Sequence, residues 1–255
     1  MIYVHENNII NKINKKDSKE LFLKDFYNNT YLPMRNKAEN IDFSKKGAFD
    51  NFAKLMNNYD NSVSIFEKTH NISYQAKLKS SFYEEMSCYL FKKLLNDNYK
   101  EFDIYNKGIC INMFLSFDNK IEIEKKDVDF CIGQKVNIQI NGQKPFDIIK
   151  PIIAVEVKTY TDSTMFGEIQ HSSNLLRGVS PYAKTYVLMG YNAIGKEHMV
   201  KAKYIPVNQM FALRRDEDDK MNAQAFKAYY DEVVMTLAMY GTSPSINQIG
   251  SLINK

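Results

Sequence analysis

Along the first hundred residues, apolar positions return at steps of three and four, and the pattern predicts a helical region over residues 1–74 that leads into a longer helix. That helix is clearest in "SYQAKLKSSFYEEMSCYLFKKLLND" (73–97), where Phe82, Met86, Leu90 and Leu94 repeat every four residues and Tyr89 joins their face. Polar clusters at 57–62 ("NNYDNS") and 69–73 ("THNIS") predict turns. From about residue 108 the period shortens to two. "GICINMFLSF", "KIEIE" and "DVDFCIGQKVNIQI" predict successive strands, with "DN" as the first turn and Asn141-Gly142 as a tight hairpin turn. "QKPFDIIKPIIAVEVKTY" continues as a strand interrupted at Pro145 and Pro151. "DSTMFGEIQHSSNLLRG" predicts a helix capped by Asp162 or Ser163 and ended by Gly178. Strands at 184–192 and 203–213 and a helix over 222–241 complete the chain. The expectation is an α/β fold, with a mixed central sheet in the core over 75–255 and a helical part or small subdomain before it.

Composition changes this picture little. The chain has 255 residues, a net charge of +4, 44% hydrophobic and 25% charged residues, ordinary values for a globular protein. The basicity is nearly all lysine, and arginine occurs only at positions 35, 177, 214 and 215. Mild basicity permits a polyanionic partner without demanding one. Cys88, Cys110 and Cys131 are far apart and lack zinc-ligand spacing, which argues against a zinc site or a disulfide framework. No apolar run approaches membrane length, and the expected location is a reducing cytoplasm.

The chemistry concentrates in "IIAVEVKTYTD" (152–162). In a strand, Ile153, Val155 and Val157 share one face, and Ala154, Glu156 and Lys158 share the other. Two charges at the end of an apolar run are costly to bury unless paired or bound to a metal. A tight turn at Asn141-Gly142 gives facing residues numbers that sum to 283, setting Asp129 opposite Ala154 and Asp127 opposite Glu156. The prolines can insert bulges, and a slip of one residue would turn the set to the other face. Carboxylates gathered in this way suit Mg²⁺, which takes one or two of them and keeps several waters. A lysine beside the cation can orient or deprotonate a water.

"DFCIG" followed by "IIAVEVKT" resembles the signature of the PD-(D/E)xK nucleases. Asp129 matches the first acid, and Glu156 and Lys158 match the second half, 156 − 129 = 27 residues later. Val128 stands where the signature has proline, which leaves Asp127 as a rival to Asp129. The order αβββαβ also fits that superfamily. The run from Val155 to Gly190 is most similar to type II restriction endonucleases, and the likeness covers roughly residues 75–215. It implies a restriction-endonuclease-like core and Mg²⁺-dependent, sequence-specific hydrolysis of double-stranded DNA. It also implies metal ligands at Asp129, Glu156 and the Val157 carbonyl, with Lys158 activating the water. A glutamate from the preceding helix is expected at Glu85 or its neighbour Glu84, and a polar helix residue at Gln170. Cutting both strands calls for two sites, hence a homodimer or heterodimer.

Gln170, Asn174 and Arg177 form a polar stripe at i, i+4 and i+7 that suits either solvent or a phosphate backbone. Arg214 and Arg215 end a strand and are candidates for guanine edges, although the acidic run after them could pair with them instead. The same scaffold also serves junction resolvases and repair nucleases. A DNA-binding subunit active only with a partner is the remaining alternative.

Overall fold

The computed structural model describes residues 2–15, 19–72, 77–118, 120–140, 144–195, 200 and 206–240. Helices α1 (Val4–Asn14), α2 (Glu20–Phe26), α3 (Leu32–Glu39), α4 (Ala48–Thr69) and α5 (Leu78–Asn98) come first. A π-helical segment, Tyr27–Tyr31, joins α2 to α3. Pro33, at the start of α3, has no N–H and crowds the carbonyl four residues back, which loosens the preceding turn. Strands β1 (Asp103–Tyr105), β2 (Ile109–Leu115), β3 (Ile121–Lys126), β4 (Phe130–Ile138) and β5 (Phe146–Thr161) follow, then α6 (Ser163–Val179), β6 (Lys184–Asn192), β7 (Gln209–Ala212) and α7 (Ala223–Met239). No helix among the described residues is long and apolar enough to cross a membrane.

The sheet is mixed, as expected. β5 runs antiparallel to β4 along one edge. Its other edge is shared in parallel, by β2 at Ile149 and by β6 from Ile153 onward. The register departs from the expected sum of 283. Facing residues sum to 284 from Ile138↔Phe146 to Gly133↔Pro151 and to 285 from Ile132↔Ile153 to Phe130↔Val155. Ile152 is therefore bulged out beside Pro151, where the partner on the far edge changes. Ala154 faces Cys131 rather than Asp129. The turn residues Asn141 and Gly142 lie outside the described residues.

The two sheet faces bury different layers. Ile153, Val155 and Val157 join the large core formed with α1–α5 and α7. Ala154 packs with Cys131, Ile109 and Leu176 of α6 on the other face. Asp162 caps α6 by accepting from the Thr164 and Met165 amides, both at 2.9 Å. The helix passes Gly178 and ends at Val179, before Ser180-Pro181. The polar cluster 57–62 is not a turn but the middle of α4. Asn57 there donates to Met221 O at 3.0 Å and Asp60 pairs with Arg214, so tertiary partners satisfy the groups that looked like turn formers.

Gly190 of β6 permits a close approach beside the Glu-x-Lys segment. An added Cβ would stand 2.1 Å from the Thr159 carbonyl oxygen and 2.9 Å from Tyr83 Cε1. Gly190→Ala is expected to lower stability by about 3 kcal/mol, because backbone on one side and a buried ring on the other must both yield. Urea unfolding measures the loss, and an unchanged midpoint would show that the strands part freely here.

Candidate active site

The alternation of β5 carries its charged residues to the α6 side of the sheet. Glu156 and Lys158 follow Ala154 on that face, beyond the point where β4 begins. Glu156 is held between two ammonium groups: its Oε1 lies 3.8 Å from Lys126 Nζ, and its Oε2 lies 3.9 Å from Lys158 Nζ. Ser172 of α6 donates its hydroxyl to the same Oε1. Asp129, just before β4, accepts the Val157 amide hydrogen at Oδ2, 2.7 Å away. The main chain between Glu156 and Lys158 thus fixes the first carboxylate. An open groove of about 570 Å³ runs over Asp129, Glu156 and Lys158 and is walled by His171 and Ser172.

The electrostatics are those of crowded carboxylates. Burial and then the Glu156 charge push the Asp129 carboxyl up to about 6, against the Val157 N–H and both lysines. Glu84 is pushed up to about 7 by burial and then by Asp129. It lines a second cavity of about 430 Å³ on the other side of Lys158, together with Asp129 and the Tyr160–Tyr191 pair.

Several sequence-derived candidates lie elsewhere. Glu85 is turned away from this cluster and sealed among α1, the π segment and α5. It accepts from the His5 and Glu6 amides at 2.8 and 3.1 Å, from Tyr31 OH at 2.9 Å, and from Tyr89 OH. Glu84 is the glutamate of α5 that adjoins Asp129. Gln170 is exposed outside the groove wall, in line with the exposed Asn174 and Arg177, whereas His171 and Ser172 face the groove. Arg214 is 8% exposed and bound to Asp60 Oδ2 at 3.1 Å and to the Glu217 carbonyl, so it is a structural tie and no base-reading fork. Arg215 is exposed, 3.8 Å from Asp216. Asp127 does border the groove, at its exposed rim, where it accepts the Gly108 amide at 3.1 Å. Lys126 and Ser172 escaped the sequence reading. The signal lay in the helical period: positions 169, 172, 173 and 176 share one face, so Ser172 is a hydroxyl on a buried stripe.

A family model, the Bpu10I restriction endonuclease, matches residues 75–234. The chain belongs to the Bpu10I restriction endonuclease family. It is accordingly a type II restriction endonuclease-like nuclease, a site-specific deoxyribonuclease. A solved chain of the native BbvCI A2B2 tetramer has the same fold, with a TM-score of 0.71 at 12% identity, covering 96% of this chain and 100% of that one. No curated protein matches the sequence.

The donor set suits a hard divalent cation. Asp129 and Glu156 offer carboxylate oxygens, and Val157 offers a carbonyl. Among the described residues there is no cluster of three or more His, Cys, Asp or Glu side chains able to hold a metal. Such a site leaves room for the waters that Mg²⁺ retains and is poor in the nitrogen and sulfur ligands that zinc prefers. Burial first and the Glu156 charge second raise the Asp129 carboxyl, and a cation between the two carboxylates would offset both.

Proposed function

We propose that this protein is a Mg²⁺-dependent endonuclease that cuts double-stranded DNA at specific sequences, with Asp129, Glu156 and Lys158 as its catalytic set. The observation that carries the reading is the convergence of both carboxylates and the lysine where β4 begins against β5, with the Val157 amide anchoring Asp129. Asp129, Glu156 and the Val157 carbonyl would hold Mg²⁺, which when bound supplies positive charge to the scissile phosphate. Lys158 orients the attacking water and exchanges a proton with it at Nζ. Glu84 stands behind Asp129 and keeps the pocket acidic. Asn174, Arg177 and Arg215 are exposed donors available to the duplex, and backbone contacts of this kind position the DNA without reading its sequence. A cytoplasmic location accompanies this reading.

One chain carries one such site, so cutting both strands takes at least two chains. The A2B2 composition of the BbvCI assembly favours a partner of different sequence over a plain homodimer. Long unmethylated linear duplex, incubated with the purified protein and Mg²⁺ or EDTA, tests the proposal. Discrete bands, or a single-strand nick at one sequence, are expected with Mg²⁺ only. Cleavage that survives EDTA, or a smear without preferred ends, overturns it. Light scattering of the protein with and without DNA reads the number of chains.

A further inference from the structure

We infer that Lys126, acting through Ser172, is a positioning residue for Glu156, a second lysine serving the site alongside Lys158. The inference rests on the nuclease reading above. Lys126 ends β3, Ser172 lies on the buried face of α6 and Glu156 stands on β5, so three separate elements meet at one carboxylate. Lys126 Nζ is bonded to Ser172 Oγ, which is bonded in turn to Glu156 Oε1. The order of donors follows from chemistry. An ammonium only donates and a carboxylate only accepts, so the hydroxyl takes a hydrogen from Lys126 and gives its own to Glu156. Lys126 thereby directs the hydroxyl, and the hydroxyl fixes the rotation of the carboxylate. Lys126 Nζ is also 3.8 Å from Oε1, which adds a direct charge interaction. Among the described residues, Oε2 has only the longer Lys158 contact of 3.9 Å. The chain therefore ties one oxygen of Glu156 and leaves the other towards the groove.

Two effects of removing Lys126 have opposite signs, which makes the inference testable. Deleting a positive charge beside two carboxylates favours a divalent cation. Releasing the carboxylate rotation impairs turnover, with losses of about 10- to 100-fold typical of residues that orient a metal-site ligand. The experiment measures Ca²⁺ binding by titration calorimetry without DNA and single-turnover cleavage with Mg²⁺, with the partner subunit present if cleavage requires one. In Lys126→Met, cleavage should fall by about 10-fold or more while Ca²⁺ binds as tightly as in wild type or tighter. Ser172→Ala should fall similarly, and the double variant should be no worse than the poorer single, because both act through one chain. Lys126→Arg keeps the charge and the reach and should recover most of the rate. Wild-type cleavage in Lys126→Met, losses that multiply in the double variant, or Ca²⁺ binding lost with the rate would each overturn the inference and leave the nuclease reading standing. A wild type that binds no Ca²⁺ and cleaves no DNA overturns both.

Discussion

Lys158→Ala is expected to lower single-turnover cleavage by about 10³-fold or more, a loss of about 4 kcal/mol of transition-state stabilisation, while duplex binding changes only a few-fold. The expectation follows from where the ammonium sits. It lies 3.9 Å from Glu156 Oε2, on the strand that also anchors Asp129, and about a quarter of its side chain is open to the groove. Such a group is placed to act on a water and a phosphate oxygen as charge develops, more than on the bulk of the DNA. Removing it also removes a counter-charge from Asp129, so affinity for a divalent cation should hold or rise. Cleavage and binding then separate: electrophoretic mobility shift in Ca²⁺ reports binding, and quenched-flow in Mg²⁺ reports chemistry. An equal loss in both assays would mean that Lys158 serves binding, and wild-type cleavage would remove it from the mechanism. Glu156→Ala should share the loss of cleavage but weaken cation binding as well, because it removes a ligand rather than a counter-charge.

The alternation of "AVEVK" exposed this site to sequence reasoning, because period two in a buried strand allows only one assignment of faces. The register was less accessible. It departs from 283 twice: the pairs nearest the hairpin turn already sum to 284, and a bulge at Ile152, beside Pro151, adds the residue that makes the sum 285. The acid–acid–lysine set survives because the bulge restores the odd parity that a single slip would have destroyed. The adjacent pair Glu84 and Glu85 could not be separated for a different reason. Their side chains diverge by about 100° around α5, and this helix is covered on one side by the N-terminal helices and on the other by the sheet. Around Glu84 and Glu85 the helix is packed on both sides, so no solvent-facing polar stripe marks which glutamate serves chemistry. Arg214 and Arg215 present the same difficulty: only Asp60, 154 residues earlier, decides which of them is buried.

Glu85→Ala is expected to destabilise the fold by about 4 kcal/mol, because Glu85 caps a helix that has no cap of its own. Tyr3 stands just before helix α1 in the cap position, and its side chain makes no capping bond. Two of the orphan amides of its first turn, His5 and Glu6, are instead met by the Glu85 carboxylate reaching across from α5. Truncation leaves these donors and two tyrosine hydroxyls without their acceptor in a dry core, at roughly 1–3 kcal/mol for each buried group left unpaired. Glu85→Gln should lose far less. Its oxygen can take both amides, and its NH₂ can donate to Tyr31 and Tyr89, whose hydroxyls can turn to accept. The two variants also differ in pH dependence. Burial lifts the Glu85 carboxyl to about 7, although four donors oppose the rise. A raised carboxyl binds its proton more tightly in the folded state, so its contribution to stability is complete below about 4.5 and is lost as pH rises through about 7. Neighbouring groups titrate in both variants: His5, sealed between Ser81 and Tyr59, is pushed down to about 3 by burial and contributes with the opposite sign. The stability difference between wild type and Glu85→Gln isolates the one carboxyl. It should shift towards the glutamine variant between pH 4.5 and 7 in thermal melts. A difference that stays flat would place the Glu85 proton elsewhere, and a Glu85→Gln variant that folds yet cannot cleave would return this residue to the catalytic set.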